Sequence, residues 1–450
     1  MFVHPQKIRL TTLSCLCVGL ILIGGCQPSP ENNNASSSAG TENSNNESAG
    51  ANTVRGSERQ LDPNKNARST QSGDFALDLA KESRNIRFAT FNTALNRSES
   101  GALVRELENG NSTIVKKVAE IIQRVDPDVL LINEIDEASR SLPLLMKNYL
   151  EVPQNGQSPI QFGFSYTSTV NTGVDSGMDL NGNGKLGEPN DAFGYGEFPG
   201  QYGMAVLSKH RIDESQIRTF QNFLWKDMPD AQIPASAGQP FYPDEVWNQF
   251  RLSSKSHWDV PVQLDGQVVH FIVCHPTPPV FDGPEDRNGC RNHDEIRLLL
   301  DYISGQGYLV DDRGRKGGLP SDSHFVLAGD LNADPNDGDS RDRVGAKLLE
   351  HELVNDGLQP GSLGAREAAA ISGGANQRHT GNSALDTADW PDERIGNLRV
   401  DYVLPGKSLR VVKSGVFWPG VGEQGSELAK VSDHRLVWID IQLGQQADRD

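Results

Sequence analysis

The chain is 450 residues long, enough for one large domain or two to three ordinary ones, with a core of full size. It carries 60 acidic against 42 basic residues, a formal charge of −18. Such a surface repels a polyanion such as DNA over most of its area, so a phosphate-bearing partner needs positive charge concentrated locally or supplied by metal ions.

Residues 1–26, MFVHPQKIRLTTLSCLCVGLILIGGC, open with Lys7 and Arg9, run apolar from Leu10 to Ile23 and end in Gly24, Gly25 and Cys26. That is a secretory signal, too short in its apolar part for an ordinary membrane-spanning helix. Its ending resembles a bacterial lipobox, which implies cleavage before Cys26, lipid on that thiol and a chain exported and anchored to a bacterial membrane, in the periplasm or at the cell surface. Residues 27–83 follow, for most of their length almost all Ser, Asn, Gly, Glu and Ala. They offer too little apolar surface to offset ordering and are expected to form a disordered tether. The folded part is then 84–445.

In chain order, NIRFATFNTAL alternates apolar and polar positions, a strand reaching Asn92. STIVKKVAEIIQRV places Ile114, Val118, Ile121, Ile122 and Val125 at helical spacing. DPDVLLINEID is a turn and an apolar strand closing on Glu134 and Asp136, and SLPLLMKNYLE reads as helix. A Gly- and Asn-rich insertion covers about 151–200. Within it Asp179, Asn181, Asn183 and Gly184 resemble a calcium-binding turn, but Asn190 stands where the closing glutamate belongs. Either a structural Ca2+ sits near Asp179 or this is a plain surface loop.

QYGMAVLSKHRI is a further strand, and a second polar insertion spans about 225–250. SHWDVPVQL and QVVHFIVCHP, joined through Asp265-Gly266, read as a hairpin. HDEIRLLLDYI is helical; FVLAGDLN, NLRVDYVLP and LVWIDIQL are strands, with Gly329 expected to break the first before Asp330. Cys274 and Cys290 could form a bridge or stay buried as free thiols. Strands outnumber helices and form hairpins, which implies an α/β fold of two largely antiparallel sheets with helices outside.

Strand after strand ends in a side chain suited to metal or phosphate: Asn92, Glu134, His275, Asp330 with Asn332, Asp401, and Asp433 with His434. If these ends converge, the buried carboxylates need a cation to stay ionised. Oxygen-rich ligation favours Mg2+, Mn2+ or Ca2+ over zinc. Phosphoester hydrolysis needs an activated water and neutralised phosphoryl charge. An imidazole backed by a carboxylate, His434 with Asp401, suits that work. The water proton goes either to His434 or to Asp330.

FATFNTAL, DVLLINEID, GMAVLSK, VVHFIVCHPT, FVLAGDLNADP, RVDYVLPG and VSDHRLVWIDI occur in that order across 85–443. The set resembles the endonuclease/exonuclease/phosphatase (DNase-I-like) superfamily. The resemblance implies a four-layer α-β-β-α sandwich of two mixed sheets. It also implies a metal site at Glu134, with Asn92 beside it and Asp433 as a second metal or phosphate-site carboxylate. His275 would contact the scissile phosphate, Asp330 and Asn332 would position the nucleophile, and Asp401 would orient the catalytic His434.

One departure is that the loop after His275, PTPP, is stiffened by prolines. It leads to Arg287 and Arg291, expected anion clamps, and to His293, an expected third substrate contact. HTGNSALDTADW, residues 379–390, is a second candidate pocket loop. The expected activity is hydrolysis of small phosphate mono- or diesters by an exported metal-dependent enzyme. The alternative is a secreted nuclease using the same residues, which the acidic charge disfavours.

Overall fold

The computed structural model describes residues 75–444. The signal segment and residues 27–74 of the tether lie outside the described residues. Residues 75–83, assigned above to the tether, run along the fold without regular secondary structure. Leu77 and Leu79 pack on an apolar cluster, and Lys81 pairs with Asp128 at 2.8 Å. Alternate apolar residues in FALDLA give this stretch something to bury, which the Ser/Asn-rich part lacks.

Eleven strands build two sheets. The first contains β1 (Ile86–Leu95), β2 (Val129–Ile135), β3 (Phe164–Tyr166), β4 (Met204–Ser208), β10 (Arg410–Val416) and β11 (Val437–Gln442), in the order β10-β11-β1-β2-β4-β3. The second contains β5 (Arg218–Thr219), β6 (His257–Leu264), β7 (Gln267–Cys274), β8 (His324–Asp330) and β9 (Asp401–Pro405), in the order β9-β8-β7-β6-β5. Each sheet is mixed. β1 and β2 are parallel, as are β7 and β8, and all other neighbours are antiparallel.

A parallel pair needs a crossover, and helices supply both. Between β1 and β2 lie α1 (Ala102–Glu108) and α2 (Thr113–Val125); between β7 and β8 lies α3 (Arg287–Ile303). One apolar cluster fills the space between the sheets, where Phe88 of β1 meets Phe271 of β7 at 5.3 Å between ring centroids. A second packs the helices of the first crossover on the outer face of one sheet, and a third packs α3 on the outer face of the other. The result is the expected α-β-β-α layering.

Local chemistry matches the sequence reading at most points. Ser112 caps α2 by accepting from Val115 N. Asp265 and Gly266, both at positive φ, make the two-residue turn between β6 and β7. Gly329 does not break β8, which runs through to Asp330. It permits a close approach instead: a Cβ there would lie 2.1 Å from the carbonyl oxygen of Cys274 on β7. Cys274 and Cys290 are both free, buried thiols.

The sequence reading missed one buried ion pair. Arg87 of β1 and Asp440 of β11 are register partners with fully buried side chains. The guanidinium donates to both carboxylate oxygens at 2.6 and 2.8 Å and to the Val125 carbonyl at 2.6 Å, and it lies 4.0 Å from the Trp438 ring centroid. Asp440→Ala would leave that cation buried and unpaired. It is expected to cost about 3–5 kcal/mol in urea unfolding. A loss below about 1 kcal/mol would show that the carbonyl and ring contacts suffice.

Candidate active site

The carboxyl ends of both parallel pairs meet at one edge of the sandwich. β1 and β2 deliver Asn92 and Glu134; β7 and β8 deliver His275 and Asp330. The antiparallel neighbour β9 begins at this edge, where Asp401 is the register partner of Asp330. His434 comes from the segment entering β11. The strand ends are turned inward by local geometry, since Glu134 (φ 59°) and Asn332 (φ 52°) both adopt left-handed backbone. Non-glycine residues rarely do so, and the strain is typical of side chains held for function.

Asn92 is the hinge pin. Its amide nitrogen donates to Glu134 Oε1 and to Asp330 Oδ2, 3.0 Å each, joining the two sheets. Asp330 Oδ2 lies 3.4 Å from His275 Nε2 and 3.6 Å from His434 Nε2. His434 Nδ1 faces Asp401 Oδ2 at 2.9 Å, and the Thr387 hydroxyl donates to the same oxygen at 2.8 Å. Asn332 turns back over the site, its backbone N–H on Asp330 Oδ1 and its amide on the Pro276 carbonyl.

Charge follows from this packing. Burial raises the carboxyls of Glu134 and Asp330, the latter to about 6. Burial, with Lys255 nearby, pushes the His275 imidazole well below its ordinary value. Burial alone would lower His434 as well, but Asp401 and Asp330 outweigh it and hold the ring up at about 10. Glu134, His275 and Asp330 each offer a ligand atom within 4.8 Å of the others, and so do Asp330, Asp401 and His434. Two buried carboxylates sharing one amide, beside a neutral imidazole, fit a hard divalent cation such as Mg2+.

The site forms the floor of a cavity of about 990 Å³. The long insertions wall it: Thr172, Leu180 and Tyr195 come from the first, Tyr242 and Phe250 from the second. The 379–390 loop contributes His379 and Trp390, whose ring abuts His434 edge-on at 5.3 Å.

The remaining expected residues stand apart from this centre. Asp433 lines the cavity but is exposed, accepts from Trp390 Nε1 at 3.1 Å, and belongs to neither group of clustered metal-type ligands. Arg291 lines the cavity, but its guanidinium is spent on the carbonyls of Leu252, Phe193 and Arg251, stacked over Phe250. His293 lies on the far side of α3's first turns, against Asp294 at 2.9 Å, and does not line the cavity. Asp179 accepts from the backbone of Gly182, Asn183 and Gly184, so its carboxylate closes its own turn. No group of three His, Cys, Asp or Glu side chains converges there among the described residues. Arg287 does line the cavity, partnered by Glu285.

Two residues escaped the sequence reading. Glu295 of α3 is fully buried and accepts from Ser254 N and Thr277 N, at 2.6 Å each, fixing two wall loops. Lys255 sits beside the Glu134 and Asp330 carboxylates in the cavity wall, 6 % exposed, its ammonium without a hydrogen bond or ion pair among the described residues. Burial lowers its ammonium from the ordinary value, while Glu134, Glu295 and Asp330 draw it back up. Its only sequence signal is a lone cation, SSKSHWDV, at the entrance of an otherwise buried strand.

The sequence profile described as the Endonuclease/Exonuclease/phosphatase family matches residues 89–434, and the chain belongs to that family. It is a metal-dependent phosphoesterase. Solved structures with a similar fold include an endonuclease/exonuclease/phosphatase from Beutenbergia cavernae (18% identity, TM-score 0.43, covering 80% of this chain and 72% of that one). Another is the beta toxin of Staphylococcus aureus with bound magnesium ions (13%, 0.41, 80% and 100%), and a third is the sphingomyelinase C of Streptomyces griseocarneus (16%, 0.40, 79% and 99%). No curated protein matches the chain in sequence.

Lys255→Met removes a buried cation from the wall beside the Glu134 and Asp330 carboxylates. It is expected to lower kcat/KM by about 10- to 100-fold with unchanged circular dichroism, as when a charge-assisted contact to an anion is lost. A change under about two-fold would make Lys255 a packing residue.

Proposed function

We propose that the chain hydrolyses small phosphate mono- or diesters, and that it does so outside the cytoplasm, tethered through a lipid on Cys26. The observation that supports a small substrate is the cavity. At about 990 Å³, walled by both long insertions, it matches the upper range of small-molecule sites. The formal charge of −18 disfavours the alternative, a nuclease that must hold several backbone phosphates along a basic groove.

A divalent ion held by Glu134 and Asp330, with Asn92 and His275 beside them, would neutralise phosphoryl charge. The chain's own residues do the rest. Asp401 and the Thr387 hydroxyl fix the His434 ring, leaving Nε2 turned toward Asp330 and the cavity. Held protonated between two carboxylates, His434 donates to a phosphoryl or leaving oxygen. The Asp330 oxygen left free of the ion takes the proton of the attacking water. Asn332 holds the loop that carries these groups against Pro276.

Three measurements check this. Asp330→Ala and His434→Ala should each lower kcat on the order of 10²-fold or more with the fold intact, and EDTA should abolish turnover of small phosphate esters. Full activity after metal stripping, or only few-fold losses in both variants, would sink the assignment. For the anchor, Cys26→Ser should move the protein from the membrane fraction to the soluble fraction while hydrolysis persists. Continued sedimentation with membranes would remove the lipid from the account.

A further inference from the structure

The segment from Gly374 to Leu398 straps the catalytic strands from outside. Thr387 hydrogen-bonds Asp401, Arg435 N donates to Thr387 O, Asp389 N donates to Asp433 O, and Ala388 bridges His434. Its near end is pinned to the loop after β8, where Asp337 accepts from Thr380 N and Gly381 N at 2.8 Å each. Its two arms are also joined, Ala375 N to Asp392 O at 2.7 Å and the Asn376 amide to Asp392 Oδ1 at 2.9 Å. A strap fastened at so many points holds its backbone in a fixed place beside the site.

Three of those side chains are basic and line the cavity: Arg378, His379 and Arg394. None makes a side-chain hydrogen bond or ion pair among the described residues, unlike Arg287 and Arg291 on the opposite wall, which have internal partners. Three of the acidic neighbours have partners of their own: Asp337 is capped by strap amides, Asp334 accepts from Asn336, Asp337 and Arg399 N–H groups, and Asp433 accepts from Trp390, while Asp339 lies exposed in the wall. In a chain of net charge −18, unpartnered cations lining one cavity beside the catalytic residues mark a place for a second anion.

We propose that this strap reads a second anionic group on the substrate, so the preferred substrate is a small ester bearing at least two phosphates, one over Asp330 and His434 and another at Arg378 and Arg394. This rests on the small-ester reading above. Arginine suits the role because its planar fork matches phosphate oxygens pairwise.

The test compares glucose 1-phosphate with glucose 1,6-bisphosphate on the intact protein with Mg2+ at physiological ionic strength. Affinity is read by calorimetry and phosphate release is followed in parallel. The bisphosphate is expected to bind at least about ten-fold tighter, as for one added charge-assisted contact. That ratio should fall to within about two-fold of unity in Arg378→Ala/Arg394→Ala and be largely restored in Arg378→Lys/Arg394→Lys. A ratio near one in the wild type, or one that survives the double alanine change, overturns the inference and leaves the small-ester reading standing. Binding of neither sugar phosphate overturns both. Tighter, arginine-dependent binding of a single-stranded oligonucleotide than of the bisphosphate would reassign the strap to a nucleic-acid backbone.

Discussion

The structure turns on one amide. Asn92 Nδ2 lies 3.0 Å from a carboxylate oxygen of each sheet, Glu134 on one side and Asp330 on the other. A large apolar cluster fills the space between the sheets, and this edge is where hydrogen-bonding groups from the two halves meet. The position is a consequence of topology. Each sheet has a single parallel pair, and each pair's crossover helix forces both strands to finish at the same edge. Four strands therefore end together, and what they end in decides the chemistry.

Such convergence destabilises. Glu134 and Asn332 hold left-handed backbone, and strain of this kind costs about 1–3 kcal/mol per residue. His275 Nδ1 and Asp401 Oδ1 are buried without a hydrogen-bond partner. Two raised carboxyls resist ionisation until a cation arrives. The rigid apolar layers offset these costs, and the satisfied Arg87–Asp440 pair ties β1 and β11, the strands that carry Asn92 and follow His434. Strain sits at the site because the core can sustain it.

Much of this was legible from residue order. Alternating strands, the Asp-Gly turn and polar strand ends are local signals, and Asn92, Glu134, His275, Asp330, Asn332, Asp401 and His434 all come together as expected. Where local signals had to stand in for three-dimensional partners, the reading failed. Arg287 and Arg291, four residues apart, share the helix face that lines the cavity, but Arg291 is taken up by backbone carbonyls; His293 lies off that face, against Asp294. Asp433 adjoins His434 in sequence and both line the cavity, but Asp433 stays exposed with an oxygen on Trp390 Nε1 while His434 is buried against Asp401. Lys255, Glu295 and Arg87 were invisible because their meaning lies wholly in what encloses them.

The same distinction explains how so acidic a chain can hold phosphate. Net charge sets the field far from the surface and governs encounters with a long polyanion, where screening over roughly 8–10 Å leaves only the average. Inside the cavity the average is irrelevant. There Lys255, Arg287, Arg291, Arg378 and Arg394 share the wall with Glu134, Asp330, Asp334, Asp337, Asp339 and Asp433, and backbone N–H groups tie up Asp334 and Asp337. Placement rather than net charge therefore decides what a compact anion meets there: strap arginines without internal partners, and carboxylates either satisfied by backbone N–H groups or set to hold a cation.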